Sequence, residues 1–352
     1  MQIDFTKKLL GWNRDQNKRF MPWKGESDPY RIWLSEIILQ QTRVEQGTAY
    51  YKRFITGFPT IADLAKASEK EIFKYWEGLG YYNRCRNLIA TARIIASAYN
   101  GSFPSSYAEI LALPGIGPYT AAAIASFAFG LPHAVVDGNV ERVLARYFGI
   151  STTAGSAAGK KLYAELAASL LEKKDPANYN QAIMDFGATI CKPQNPLCTG
   201  CVLSKKCQAF QKGWTDRLPL KQALVPRKTR WFYYFIVKAG KNKLWIRERT
   251  GNDIWQNLYE FVLWESGQFI PREKLDQTRF FMDTFGKQGF HIQHISPVHH
   301  QKLTHQTITG CFVHLDKPLT ELAGYQPVLL KRLREFPFPK LITGYIENFE
   351  DP

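Results

Sequence analysis

The sequence predicts a mostly α N-terminal region followed by a separate α+β C-terminal domain. Three observations carry this reading. Across residues 1–212 the apolar residues recur at helical spacing, in segments parted by short loops containing Gly, Pro or Asn. Beyond Trp214 the texture changes to short runs rich in aromatic and β-branched residues. A length of 352 residues suits two or three domains.

The helical part is justified element by element. DPYRIWLSEIILQQTRV opens with Asp28 as an N-cap and Pro29 at the first helical position. Trp33, Leu34, Ile37, Ile38 and Gln41 then fall at helical spacing. Further helical patterns cover 61–77, 84–99, 118–129, 138–148, 156–173 and 179–190. The stretch TDRLPLKQALVPRKTR is basic, holds two prolines and shows no clear period, so it reads as a linker. The runs WFYYFIVKAG, KLWIRERT, LYEFVLW and QTITGCFVHL alternate and read as strands. There is no tandem repeat and no low-complexity tract.

Composition narrows the function classes. Hydrophobic residues are 45% and charged residues 22%, an ordinary globular balance that excludes disorder as the dominant state. The least polar long stretch, 119–136, contains Gly130, Pro132 and His133, so no membrane span is expected. MQIDFTKKLLGWNRD has neither an apolar core nor a small-residue cleavage site, so no secretory signal is expected. The net charge of +15 points to a polyanionic partner. Residues 1–212 carry a net +9 and residues 213–230 a net +4, whereas 231–352 are close to balance. The electrostatic footprint therefore lies in the first two segments.

Four of the six cysteines, Cys191, Cys198, Cys201 and Cys207, form a C-x6-C-x2-C-x5-C cluster. A reducing compartment makes disulfides a poor explanation and a metal a better one. Zinc ribbons usually show two close pairs, and here only one pair is close. A cubane iron–sulfur cluster takes four thiolates from a wrapped loop, and Pro193, Pro196 and Gly200 help the chain wrap. Spacing alone leaves structural zinc and iron–sulfur both open. The second feature is LPGIGPYTA, where Gly115 and Gly117 lie between two helical patterns and Pro118 starts the next helix. Such a turn allows close backbone approach and presents N–H groups to a phosphate.

These features converge on one resemblance. LPGIGPYTAAAIASFAFGLPHAVVDGNVERVLAR resembles the helix–hairpin–helix DNA glycosylase superfamily. WLSEIILQQTRV, GLGYYNRCRNL and the cysteine loop are similar to the MutY-type adenine DNA glycosylases. The likeness covers most of residues 20–210, with four separated motifs in the family's order. It implies a helix–hairpin–helix glycosylase fold with an iron–sulfur cluster loop, and a C-terminal MutT/Nudix-like domain. The expected organisation is a cluster domain from 1–28 and 137–213, a six-helix domain over 29–136, a basic linker over 214–230 and a recognition domain over 231–352. One [4Fe–4S] cluster on the four clustered cysteines is implied.

N-glycosidic hydrolysis passes through an oxocarbenium-like sugar. It needs a proton on the leaving base and negative charge near the sugar, which two carboxyl groups in different environments supply. Asp137 follows the apolar run Ala134–Val136 and precedes a helix, where an N-cap role is the default. The resemblance implies that it also stabilises or captures the cation. Glu36 lies beside the Trp33–Ile37 apolar stripe, where partial desolvation raises a carboxyl pKa. By resemblance it protonates adenine at N7 and then activates water. Tyr119 stands where the endonuclease III branch carries a Schiff-base lysine, which implies a monofunctional glycosylase. Gln41 and Tyr81 belong to the family's QQT and GLGYY motifs and suit the gap left by a flipped base. Trp23 and Lys24 lie in MPWK, where the family more often has L-P-W-R, and lysine lacks the planar fork of arginine.

In the second domain, Leu303, Thr304 and His305 occupy the place of the family's F-S-H loop, which contacts oxidised guanine. Thr304 keeps the hydroxyl and Leu303 replaces the aromatic wedge. Gly251 and Glu260 match the start of a Nudix motif, but no R-E-x-x-E-E run follows, so nucleotide hydrolysis is not expected. The expected partner is double-stranded DNA with A:8-oxoguanine or A:G mispairs. The enzyme is expected to be a cytoplasmic, nucleoid-associated monomer. The rival readings are another base glycosylase of the superfamily, such as one acting on T:G, and a non-catalytic DNA-binding iron–sulfur protein.

Overall fold

The computed structural model describes residues 2–220, 226–286 and 289–348. The chain divides into two compact units, residues 1–66 with 86–223, and residues 67–85 with 224–352. None of the described helices is long and apolar enough to cross a membrane.

Helices run in the order α1 (Gln2–Gln16), α2 (Pro29–Leu39), α3 (Val44–Gly57), α4 (Ile61–Lys66), α5 (Glu69–Trp76), α6 (Asn83–Ala98) and α7 (Tyr107–Leu111). They continue with α8 (Pro118–Phe129), α9 (Gly138–Phe148), α10 (Ala157–Leu170), α11 (Pro176–Thr189) and α12 (Gln208–Gln211). Caps explain most boundaries. Asp28 accepts from the Tyr30 N–H at 2.9 Å, with Pro29 at the first helical position. Helices α8 and α9 both end on a left-handed glycine, Gly130 at φ +63° and Gly149 at φ +68°.

Four boundaries depart from expectation, one being the end of α10 at Leu170 rather than 173. The pattern over 61–77 is two helices, because Ser68 caps α5 by accepting from the Glu71 N–H at 3.2 Å. The helix opened by Asp28 stops at Leu39, and Gln41 adopts a left-handed φ of +56° beyond it. Helix α11 starts at Pro176 rather than 179, capped by Asp175. In the first unit one apolar cluster joins Phe5, Leu9 and Trp12 of α1 to Val140, Val143 and Leu144 of α9, and to Ile183 and Phe186 of α11. Trp12 meets Phe186 edge-on, with ring centroids 4.9 Å apart. The same cluster includes Ala122 and Ala123 of α8. That packing holds the beginnings of α8 and α9 in one rigid frame.

The second unit contains β1 (Lys228–Ile236), β2 (Lys243–Glu248), β3 (Tyr259–Glu260), β4 (Val262–Ser266), β5 (Ile292–Ile295), β6 (His299–Lys302), β7 (Gln306–Leu315) and β8 (Gln326–Leu329). Helices α13 (Arg272–Leu275), α14 (Arg279–Thr284) and α15 (Lys340–Glu347) accompany them. The larger sheet has the order β4-β1-β7-β5, with β6 also on β7, and β3-β2-β8 form the smaller one. Strands β1 and β7 pair in parallel. The expected alternation fails on both: Phe232 to Ile236 and Ile308 to Leu315 are buried without interruption. Tyr233 and Phe235 enter the cluster containing Phe281 and Phe285, while Tyr234 stacks on Phe312 and Phe312 on Tyr345. Central strands covered on both faces read as continuous apolar runs.

The stretch read as a linker contributes to both units. Leu218 is buried in the first unit's core, β1 begins at Lys228, and 221–225 lie outside the described residues. Residues 67–85 fasten to the C-terminal chain within the second unit. Lys74 Nζ donates to the Phe336 carbonyl at 3.3 Å, and Glu77 accepts from the Phe338 N–H at 2.9 Å.

Candidate active site

A cavity of about 680 Å³ opens in the first unit. Six of the residues singled out in the sequence line it: Trp23, Lys24, Glu36, Gln41, Tyr119 and Asp137. Glu36 comes from α2, Tyr119 from the first turn of α8, and Asp137 caps α9. Three helix segments of one frame therefore converge on one space.

The two carboxyl groups have different surroundings. Glu36 is buried, with 9% of its surface exposed. Burial pushes its pKa up to about 7, and the charge of Asp137 adds to the rise. The Tyr119 hydroxyl, hydrogen-bonded to Glu36, opposes that rise. The same hydroxyl lies 3.6 Å from the Met184 sulfur. Asp137 accepts from the N–H groups of Asn139 at 2.9 Å and Val140 at 2.8 Å, and from the Asn139 side-chain amide at 2.7 Å. Its capping role and its place on the cavity wall coexist. One carboxyl is thus held near neutrality and the other offers an oriented negative charge.

Lys24 is more constrained than the sequence suggested. Its Nζ donates to Asp185 at 2.9 Å and to the Arg19 carbonyl at 3.1 Å. Asp185 is fully buried and also receives Arg19, Asn17 and Gln181. This anchor was not found from the sequence, because Asp185 shares its face of α11 with Asn178, Gln181 and Thr189, which reads as an ordinary polar face. Trp23 is buried edge-on against Tyr51, with centroids 5.4 Å apart.

The two glycines of the hairpin differ. Gly115 has φ +72°, and a Cβ there would lie 2.6 Å from the Asn87 Cβ, so only glycine fits. Gly117 caps α8 at φ −92°, and a Cβ there would meet open space. Left-handed freedom is therefore needed at Gly115 alone. Gly117 leaves the N-terminus of α8 open to approach.

Residues 34–169 match the HhH-GPD superfamily of base excision DNA repair proteins, and residues 233–348 match the NUDIX domain. The adenine DNA glycosylase of Buchnera aphidicola subsp. Acyrthosiphon pisum is 34% identical over 303 residues, covering 84% of this chain and 85% of that one. The chain belongs to the adenine DNA glycosylase family. The human adenine DNA glycosylase is 42% identical over 224 residues, 61% of this chain and 41% of that protein. Among solved structures, a thermostable thymine-DNA glycosylase matches with a TM-score of 0.56 and 34% identity, over 60% of this chain and 97% of its own. An endonuclease III bound to DNA matches at a TM-score of 0.52 and 23% identity, a likeness of fold. The chain is thus a DNA N-glycosylase with an appended Nudix-type domain.

In this glycosylase, Cys191, Cys198, Cys201 and Cys207 line one small cavity beside α9 and α12. Each is partly buried. Burial, followed in each case by other influences including the neighbouring cysteines, raises the thiol pKa of Cys198 and Cys207 and pushes Cys201 up to about 11. Among the described residues no three His, Cys, Asp or Glu side chains gather tightly enough for a single metal ion. Arg142 and Arg146, four residues apart on α9, both reach this loop and are both buried. The sequence reading missed them. On α9 they lie opposite the stripe of Val140, Val143, Leu144 and Tyr147, which reads as a solvated face, so no sequence signal marked their burial.

Tyr81, Thr304 and His305 belong to the second unit. Thr304 lies in the turn between β6 and β7, closed by a bond from the Leu303 N–H to the Gln306 carbonyl at 2.8 Å. The Tyr81 and Thr304 hydroxyls are hydrogen-bonded at 2.6 Å, and Tyr81 is 46% exposed. Two residues predicted to touch DNA are therefore neighbours, although 223 positions separate them. Glu260, matched to the Nudix motif, is buried and bonded to Arg247 at 2.9 Å and to Arg249. Arg230 similarly engages Asp253 and Glu265. These carboxylates serve ion pairs.

Proposed function

We propose that this enzyme excises adenine mispaired with 8-oxoguanine or guanine, as a monofunctional glycosylase. The observation that carries the reading is the pairing of Glu36, its pKa raised to about 7, with Asp137 on the wall of one cavity. The protonated Glu36 delivers its proton to N7 of the flipped base. The C1′–N9 bond then breaks and its electron pair leaves with the base. Asp137 stabilises the oxocarbenium ion across the cavity. Water adds to C1′ and returns a proton to Glu36, leaving an abasic site. Tyr119 offers a hydroxyl where a lyase needs an amine, so the strand stays intact.

Gly115, Gly117 and the open N-terminus of α8 suit a phosphate of the duplex. Gln41, in its left-handed conformation at the cavity rim, suits the gap left by the base. Lys24 and Trp23 suit the base itself. The linked hydroxyls of Tyr81 and Thr304, with His305, suit recognition of the opposite base. The four cysteines suit one [4Fe–4S] cluster. A cubane holds its thiolates farther apart than one tetrahedral ion does, and its iron supplies the positive charge that half-buried thiolates need. When bound, the cluster supplies a structural tie for the loop.

The deciding experiment is a single-turnover excision assay on A:8-oxoguanine, A:G and T:G duplexes, with and without alkaline strand cleavage. Adenine release with alkali-dependent nicking is expected. Preferred release of thymine from T:G overturns the reading.

A further inference from the structure

Arg146 also lines the cysteine cavity, and the chemistry proposed above does not use it. Its side chain is buried, with 3% of the residue exposed. Nε donates to the Leu218 carbonyl at 3.0 Å. Nη1 donates to the Lys192 carbonyl at 2.7 Å, and Nη2 to the Pro193 carbonyl at 3.2 Å. These bonds tie the chain entering the cysteine loop to the chain leaving it. Tethering of that kind needs only carbonyl acceptors. Nη1 also lies 3.4 Å from Cys191 Sγ, within reach of an N–H···S hydrogen bond. The Arg146 carbonyl lies 3.4 Å from Cys207 Sγ. One residue therefore touches two of the four sulfurs.

We propose that Arg146 is a positioning residue that sets the electron affinity of the iron–sulfur cluster, through a charge-assisted hydrogen bond to the Cys191 thiolate. The inference rests on the iron–sulfur reading above. Hydrogen bonds to the sulfurs, net charge and solvent exposure set the potential of such clusters. A guanidinium is a permanent cation, and in a buried setting its field is weakly screened. It stabilises whichever cluster state is more negative, so it favours reduction and raises the midpoint potential.

Arg142 provides an internal control. It lies one turn earlier on the same helix and reaches the same loop, but its bonds run to oxygens: the carbonyls of Cys191, Gly138 and Gly187, and Asn139 Oδ1.

The test is a redox titration of the holoprotein followed by electron paramagnetic resonance, with iron and sulfide measured per chain. Arg146→Gln is expected to lower the midpoint potential clearly, and Arg142→Gln, which removes the same charge but no bond to sulfur, to lower it by less. Equal shifts in the two variants, or none in Arg146→Gln, overturn the proposal. A second measurement needs no variant. Pulsed resonance of the reduced wild-type cluster in protein labelled with ¹⁵N-arginine is expected to show nitrogen coupling through the N–H···S bond, and its absence overturns the proposal. Zinc without iron in the wild type instead overturns the cofactor reading on which the proposal stands.

Discussion

Arg142 donates from Nε to the carbonyl of Cys191 at 2.7 Å. The same guanidinium holds Asn139 Oδ1 at 2.8 Å, and the Asn139 amide holds Asp137 Oδ2 at 2.7 Å. Two side chains, Arg142 and Asn139, thus connect the cysteine loop to the carboxylate on the cavity wall. Arg142→Lys keeps the charge but loses the fork. It is expected to slow single-turnover excision by about 10²-fold, the scale of a ~1 Å misplacement of a reacting group. Loss of duplex binding with unchanged excision at saturation would contradict this.

Glu36→Gln and Asp137→Asn should each abolish measurable excision while duplex binding persists. Loss of the proton donor alone costs about 10²–10⁴-fold. Gel-shift affinity measured beside single-turnover rates checks both halves, and near-normal excision by either variant removes that residue from the chemistry.

The rate should depend on pH through Glu36. Its proton is present below about pH 7 and lost above it, so excision should fall roughly tenfold per unit on the alkaline side. The Tyr119 hydrogen bond lowers this pKa, so Tyr119→Phe should move the alkaline limb to higher pH. Stability follows the same linkage. The folded pKa of Glu36 is raised, so the native state binds more protons than the unfolded chain between the ordinary carboxyl value and about 7. Its favourable contribution is full below the ordinary value and lost as pH rises to about 7. Glu36→Gln should therefore gain on wild type across that window, reaching on the order of 3 kcal/mol, and level off above it. Denaturant midpoints at pH 5, 6, 7 and 8 check the trend.

Anaerobically purified protein should contain about four irons per chain and absorb as a [4Fe–4S] protein. Substituting Ala at Cys198 or Cys201 should remove iron and destabilise the 191–218 region, seen as faster amide exchange there. Cys85 and Cys311, both buried elsewhere, should tolerate Ser or Ala without loss of iron.

Thr304→Ala should narrow the preference for A:8-oxoguanine over A:G by about tenfold, the worth of one or two hydrogen bonds to a base edge. A point change is the sharper probe, because deletion of the C-terminal chain also removes the Phe336 and Phe338 backbone groups that Lys74 and Glu77 bind. An unchanged ratio would place lesion reading elsewhere.

Much of this was legible in the sequence, for identifiable reasons. Asp28–Pro29 announces α2 through local capping chemistry, and Gln306–Leu315 announces β7 through composition. Glu36 and Asp137, which line one cavity, were singled out because motif order compensates for the weakness of a lone carboxylate as a signal. Less legible were features made by distant chain segments. The Asp185 anchor joins α11 to Arg19 and Lys24, across 166 and 161 positions. The parallel pairing of β1 with β7 hides alternation that an exposed face would have shown. Ser68 and Glu71 spell a cap that splits a helix, but the apolar period runs through it.

Gly115 has a wider consequence than its own turn. A Cβ there would lie 2.6 Å from the Asn87 Cβ, so either α6, which carries Asn87, or the turn that leads into α8 has to shift. Tyr119 rides on the first turn of α8 and touches the Glu36 carboxyl. On the function proposed above, the loop that faces the phosphates and the group that releases the base are mechanically linked through α8. On that reading a side chain at this position is felt in grip and in turnover together, so affinity for DNA and chemistry are tuned jointly here.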